Sequence, residues 1–124
     1  MSKKFSATAR IKSFKYALNG IKYAVLTQHN FYIHIIIALI AILLGFLLQI
    51  NNLEWVAIII VIGLVISAEI FNTAIEELVN LVSPQKNKKA GIVKDLSAGA
   101  VLILAVVALL TGIIIFLPKL IELI

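Results

Sequence analysis

The chain contains no cysteine, which excludes disulfides, thiolate catalysis and any metal held by sulfur. Histidine is nearly as scarce. His29 and His34 are the whole supply of imidazole, and a separation of five does not place two side chains on one helical face. Both read as polar residues of a membrane interface. Neither GxxxxGK[ST] nor a kinase-type glycine loop occurs, so the two common nucleotide-binding motifs are excluded. There is no low-complexity tract, long linker or internal repeat, and 124 residues suffice for one domain only.

What fills the chain instead is apolar. Hydrophobic residues make up 62%, well above the roughly 45–50% of soluble globular domains, so this is an integral membrane protein. No cleavable signal peptide is expected. The stretch 8–26 spaces Ile11, Phe14, Ala17, Leu18, Ile21 and Val25 three or four apart among basic residues, the pattern of an amphipathic helix lying in the interface. Three membrane helices follow, over 33–50, 53–82 and 92–117. The expected fold is therefore all-α, a single membrane domain over 1–124 with one surface helix and three spans. Asn51-Asn52 makes the outer turn, and Trp55 anchors the next helix in the interface beside Glu54. Ser83-Pro84 ends the second span, 85–91 reads as a polar loop, and Pro118 closes the third, with Lys119 capping its outer end.

Positive charge is unevenly placed. Lys3, Lys4, Arg10, Lys12, Lys15 and Lys22 precede the first span, Lys86, Lys88, Lys89 and Lys94 lie between the second and third, and 51–54 has no basic residue. The positive-inside rule puts the N-terminus and the 83–95 loop in the cytoplasm. Orientation and anionic lipid account for the net charge of +5 without nucleic acid.

Acidic residues are few, and three of the six stand in one short run of a membrane helix, Glu69-Ile-Phe-Asn72-Thr73-Ala-Ile-Glu76-Glu77-Leu-Val-Asn80. Ionisable groups there are costly and mark ion, substrate or proton sites. At about 100° per residue, Glu69, Asn72, Thr73, Glu76 and Asn80 share a stripe about 100° wide. Glu77 lies at its edge and reads as solvated. Thirty residues at ~1.5 Å each give ~45 Å against a ~30 Å hydrocarbon core, so the stripe runs from the inner leaflet to the cytoplasmic boundary. Lys94-Asp95, followed by the small residues Ser97-Ala98-Gly99-Ala100, falls at a similar depth if the two helices are antiparallel neighbours. Two carboxylates and an ammonium suit phosphoryl transfer: one holds Mg²⁺ on phosphates, one takes a hydroxyl proton, and lysine neutralises charge. Spacing alone reaches a polar site at the inner interface and not ATP.

The run Glu69-Ile-Phe-Asn72-Thr73-Ala74-Ile75-Glu76, with Lys94-Asp95-Leu-Ser-Ala-Gly99 some eighteen residues later, resembles the signature of the prokaryotic diacylglycerol kinase/undecaprenol kinase family. Length, three spans and a basic amphipathic start match as well. The resemblance implies a homotrimer in the bacterial inner membrane, with active sites shared between chains and facing the cytoplasm. It implies γ-phosphate transfer from MgATP to a lipid hydroxyl, of diacylglycerol or undecaprenol. By motif position Glu69 is the general base, Asn72 positions it and Glu76 binds Mg²⁺. Lys94 contacts the phosphates and Asp95 the nucleoside. Tyr16 and Arg10 match the N-terminal nucleotide contacts, and Gln85, Lys86 and Asn87 close over ATP. Phe31, Tyr32 and Ala98 are placed with Glu69 beside the lipid; Tyr32 and His34 line its entrance, although an interfacial belt accounts for both equally. Two positions depart from the family pattern. Gln28 stands where a second acidic metal ligand is usual, and Asn80 where an aspartate is. Both bear on metal affinity and rate more than on fold.

The rival readings are a catalytically weakened member of the same family and a non-enzymatic oligomer, as channel or assembly subunit. A channel predicts polar residues through the full depth of a helix, and the outer halves of all three spans are apolar.

Overall fold

The computed structural model describes residues 4–124; Lys3, one of the basic residues assigned to orientation, lies outside them. Four helices follow in order: α1 (Ala7–Thr27), α2 (His29–Leu47), α3 (Asn52–Val82) and α4 (Lys88–Glu122). The last three are each long and apolar enough to cross a membrane, in agreement with the three spans read from the sequence.

Ser6 caps α1 by accepting from the Ala9 N–H, and the helix is exposed along nearly its whole length, with Ala24 buried. One residue, Gln28, with extended backbone, separates α1 from α2. The surface helix and the first span are thus joined without a loop, and α2 starts four residues before the apolar run does. At the outer end of α2, Gln49 takes a left-handed conformation (φ 51°). The Ile50 N–H then returns to the Gly45 carbonyl and the Gln49 N–H to Phe46, the pair of bonds that closes a Schellman motif. Asn51 and Glu54 form a reciprocal capping box that starts α3 at once. The outer connection is consequently tight. Trp55 packs onto Phe46, with ring centroids 4.8 Å apart, and lies over Gly45.

Two boundaries of α4 differ from expectation. The helix begins at Lys88, one turn before Ile92, because the Asn87 side chain accepts from the Lys89 N–H and caps it; Gly91 lies within the helix. At the other end Pro118 sits inside α4, which runs on to Glu122. Proline leaves the Ile114 carbonyl without its helical donor, but such losses are tolerated in membrane helices. Lys119, rather than capping the end of a helix closed by Pro118, lies within α4 and reaches Glu54 at 3.5 Å, tying the outer ends of α3 and α4 together.

The principal packing is α3 on α4. Ile50, Ile58, Ile115 and Phe116 form the buried cluster at the outer end, supported by Ala41, Leu44 and Trp55. Many large apolar side chains elsewhere are exposed, among them Ile36, Leu43, Ile59, Leu102 and Ile114. In a membrane these meet acyl chains or neighbouring helices, where burial in protein is not required for stability.

Candidate functional site

The polar stripe of α3 is graded in burial. Glu69 and Thr73 are buried, Asn72 and Glu76 are half-buried, and Asn80 is exposed. At ~1.5 Å per residue, Glu76 stands ~10 Å and Asn80 ~16 Å along the axis from Glu69. The stripe is therefore a line of oxygen and amide groups leading out of the apolar interior.

Glu69 is only 4% exposed. A buried carboxylate without partners is strongly disfavoured, and its partner comes from α2: His34 Nε2 lies 3.0 Å from Glu69 Oε1. Thr73 bonds to the Glu69 backbone carbonyl at 2.9 Å and so satisfies itself within the helix. His34, read from the sequence as an interfacial residue or as lining the lipid entrance, has its ring turned onto Glu69.

Asn72 does not reach Glu69. Its Nδ2 donates to Glu76 Oε1 at 3.3 Å, which holds the Glu76 carboxylate rather than that of Glu69. Asn72 Oδ1 is buried and has no hydrogen-bond partner among the described residues. A buried acceptor left open beside a carboxylate is a place for a cation or a bound donor. Among the described residues no three acidic or imidazole side chains converge as a ready-made metal site. Mg²⁺ does not demand one, since it binds through one or two carboxylates with phosphates and waters completing the octahedron. The donor set of Glu76, with Asn72 beside it, fits that pattern. Gln28 is half-buried at the α1–α2 break, and its side chain makes no capping bond to α2.

Where α3 passes into α4, the two helix ends and the turn between them line an open cavity of about 490 Å³. Asn80, Gln85, Lys86, Asn87, Lys88 and Lys94 are among its lining residues. Four of the expected nucleotide residues thus meet in one place. Three lysines and no carboxylate line it, so it suits a polyanion. Lys94 Nζ donates to Asn80 Oδ1 at 2.6 Å, anchoring the ammonium at the lower end of the stripe. Asn87 has its side-chain oxygen committed to the helix cap.

Other expected residues stand apart from this cavity. Arg10 lies over the Phe5 ring, 5.7 Å from its centroid, and Tyr16 is 67% exposed; no residue of α1 lines the cavity. Asp95, Tyr32 and Ala98 are exposed, whereas Phe31 is buried within the chain and Ser97 is buried at the start of α4. Glu77, expected to be solvated, accepts from the Tyr23 hydroxyl at 2.9 Å. That bond to a carboxylate, with its negative charge, pushes the Tyr23 phenol above its ordinary value.

The family model for prokaryotic diacylglycerol kinase matches residues 15–116, a span that takes in every candidate residue except Arg10. The chain belongs to the prokaryotic diacylglycerol kinase family. It is a membrane lipid kinase. Among characterised relatives, the undecaprenol kinase of Bacillus subtilis is 40% identical over 109 residues, covering 88% of this chain and 89% of that one. The diacylglycerol kinase of Synechocystis is 38% identical over 112 residues, 90% of this chain and 64% of the relative. That of Escherichia coli K12 is 30% identical over 104 residues, 84% and 85% of the two chains. For a lipid kinase, the arrangement makes chemical sense. A buried carboxylate within a membrane helix can meet a lipid alcohol, and a lysine-lined cavity at the end of that helix can meet phosphates.

Proposed function

We propose that this kinase transfers the γ-phosphate of ATP, with Mg²⁺, to the hydroxyl of a membrane lipid alcohol, and that the alcohol is undecaprenol. The observation that carries the reaction is the continuity of one α3 face, from buried Glu69 through Glu76 to Asn80, into a cavity that Lys94 and the 85–88 turn make cationic.

The lipid stays in the membrane and presents its hydroxyl from the side, while the nucleotide enters from the cytoplasm and lies along the stripe. Glu69 takes the hydroxyl proton on its free oxygen. The alcohol oxygen forms a bond to the γ-phosphorus as the bond from that phosphorus to the bridging β–γ oxygen breaks, and ADP leaves. Lys94 neutralises charge on the phosphates. Mg²⁺, when bound at Glu76, supplies further neutralisation of the phosphate oxygens. Phosphoryl transfer asks little covalent chemistry of the protein, so positioning and charge stabilisation carry the rate. Arg10, Tyr16 and Asp95 stand outside the single-chain cavity, and they contribute to ATP binding across the interface of a homotrimer. Positive charge at the N-terminus and in the α3–α4 turn orients the site toward the cytoplasm of a bacterial inner membrane.

Similarity to the Bacillus undecaprenol kinase over nearly all of both chains favours the polyprenol over diacylglycerol. The test is label transfer from [γ-³²P]ATP by purified protein in mixed micelles, with undecaprenol and diacylglycerol in parallel, with and without Mg²⁺. Faster labelling of undecaprenol that depends on Mg²⁺ supports the proposal. Preferential labelling of diacylglycerol reverses the substrate assignment, and labelling of neither returns the chain to the non-enzymatic reading.

A further inference from the structure

The contact between α2 and α3 at the deepest polar point assigns a role to a residue outside the expected site. We propose that His34 is the positioning residue of Glu69. The inference rests on Glu69 acting as the base, and goes beyond it by identifying what holds the base.

The geometry is specific. With its proton on Nε2, the imidazole donates to Glu69 Oε1 at 3.0 Å. A carboxylate held through one oxygen cannot swing, and its other oxygen, Oε2, is left for the alcohol. Proton transfer is sensitive to this kind of restraint, because the accepting oxygen must lie within hydrogen-bond reach of the reacting hydroxyl. The side chains are 19% and 5% exposed for His34 and Glu69, so little water competes for the bond.

No other ionisable group contends for the imidazole. His34 lines a groove of about 530 Å³ between α2, α3 and α4. Its remaining lining is apolar on every element: Ala38 and Leu44 from α2, Val65 and Ile66 from α3, Ala105 and Phe116 from α4 are representative. Among the described residues, Glu69 is the one acidic group within hydrogen-bond or ion-pair distance of the ring.

The experiment compares His34→Leu, His34→Gln and Glu69→Gln in the purified full chain. It measures kcat, KM for ATP, and thermal stability in micelles. Leucine removes the donor, and glutamine keeps an N–H. His34→Leu should lower kcat about ten- to a hundredfold, the scale of a misplaced catalytic group, with little change in KM for ATP. His34→Gln should recover most of that loss. A wild-type rate in His34→Leu overturns the inference. So does a His34→Gln variant as slow as the leucine variant while equally stable, since a donor then does not matter. Glu69→Gln separates the two levels of the argument: if it retains full turnover, the base assignment itself falls.

Discussion

Tyr23 of α1 donates to Glu77 of α3 at 2.9 Å, the one side-chain hydrogen bond between the N-terminal helix and a span among the described residues. α1 carries Arg10 and Tyr16, so under the proposed function this bond holds the helix that brings them toward ATP. Tyr23→Phe removes it while keeping the ring. The expected result is a rise of about two- to threefold in KM for ATP, as for an exposed polar contact, with kcat nearly unchanged. Unaltered KM would show that α1 is held by apolar contacts alone.

The same pair gives a pH dependence with a definite sign. The Tyr23 phenol titrates above its ordinary value of 10.0 because Glu77 accepts its proton in a hydrogen bond. Its folded value is raised, so the stabilisation is fully present below the ordinary tyrosine range and is lost as pH rises through the folded value. Nothing should change at neutral pH. Ultraviolet titration should show one tyrosine ionising later than the others, and Glu77→Gln should return it to the ordinary range. Persistence of the late ionisation in that variant would assign it to another tyrosine.

Gly45 is required by Trp55. A Cβ at position 45 would lie 2.6 Å from Trp55 Cη2 and 2.9 Å from Cζ2, closer than packed atoms permit. Gly45→Ala should therefore lower stability by about 1–3 kcal/mol, the usual cost of overpacking. Combining it with Trp55→Phe should recover part of that loss, because the obstructing atoms belong to the indole. The check is the thermal midpoint of both variants in one detergent. An additive effect would mean that Gly45 serves the helix terminus rather than the ring.

Much of this architecture was readable in the residues, and the exceptions share a cause. The second span was expected over 53–82 and occupies Asn52–Val82, because capping residues and Ser83-Pro84 mark both its ends locally. The start of α4 was placed late because Gly91 looked like a loop residue, whereas the Asn87 cap sets the boundary. Pro118 reads as a stop because proline usually is one, but a membrane helix tolerates the lost bond and α4 runs on to Glu122. The pairing of His34 with Glu69 is hidden for a different reason. Helical periodicity shows which residues of one helix share a face, and it revealed the α3 stripe. It does not show which residue of another helix meets that face, and His34 lies 35 positions from Glu69. The Tyr23–Glu77 pair, separated by 54, was hidden in the same way.

Lys94 is held by a neutral partner, Asn80 Oδ1, at 2.6 Å. An amide orients the ammonium without cancelling its charge, which leaves it available to phosphate. Lys94→Ala should raise KM for ATP and lower kcat together, by tenfold or more on the scale of about 1.5–3 kcal/mol for a hydrogen bond to a charged group. Asn80→Ala should have a smaller effect of the same kind, since it frees the ammonium but does not remove it. Steady-state kinetics with ATP varied decides between them. Equal losses in the two variants would make the Asn80 contact, and not the charge, the important feature.

Glu76 receives the Asn72 amide at 3.3 Å and leaves Asn72 Oδ1 open beside it. If this pair holds Mg²⁺, the two substitutions act on it differently. Glu76→Gln removes the anionic ligand, and the Mg²⁺ concentration for half-maximal rate should rise by more than tenfold. Asn72→Leu keeps the carboxylate but releases it and deletes the open acceptor, so a smaller rise is expected, with some loss of kcat even at saturating metal. Mn²⁺ binding followed by electron paramagnetic resonance gives a readout independent of turnover. It should weaken in the same order, Glu76→Gln more than Asn72→Leu. An unchanged metal titration in Glu76→Gln would remove this carboxylate from the metal site, and the Asn72–Glu76 bond would then be a structural link within α3.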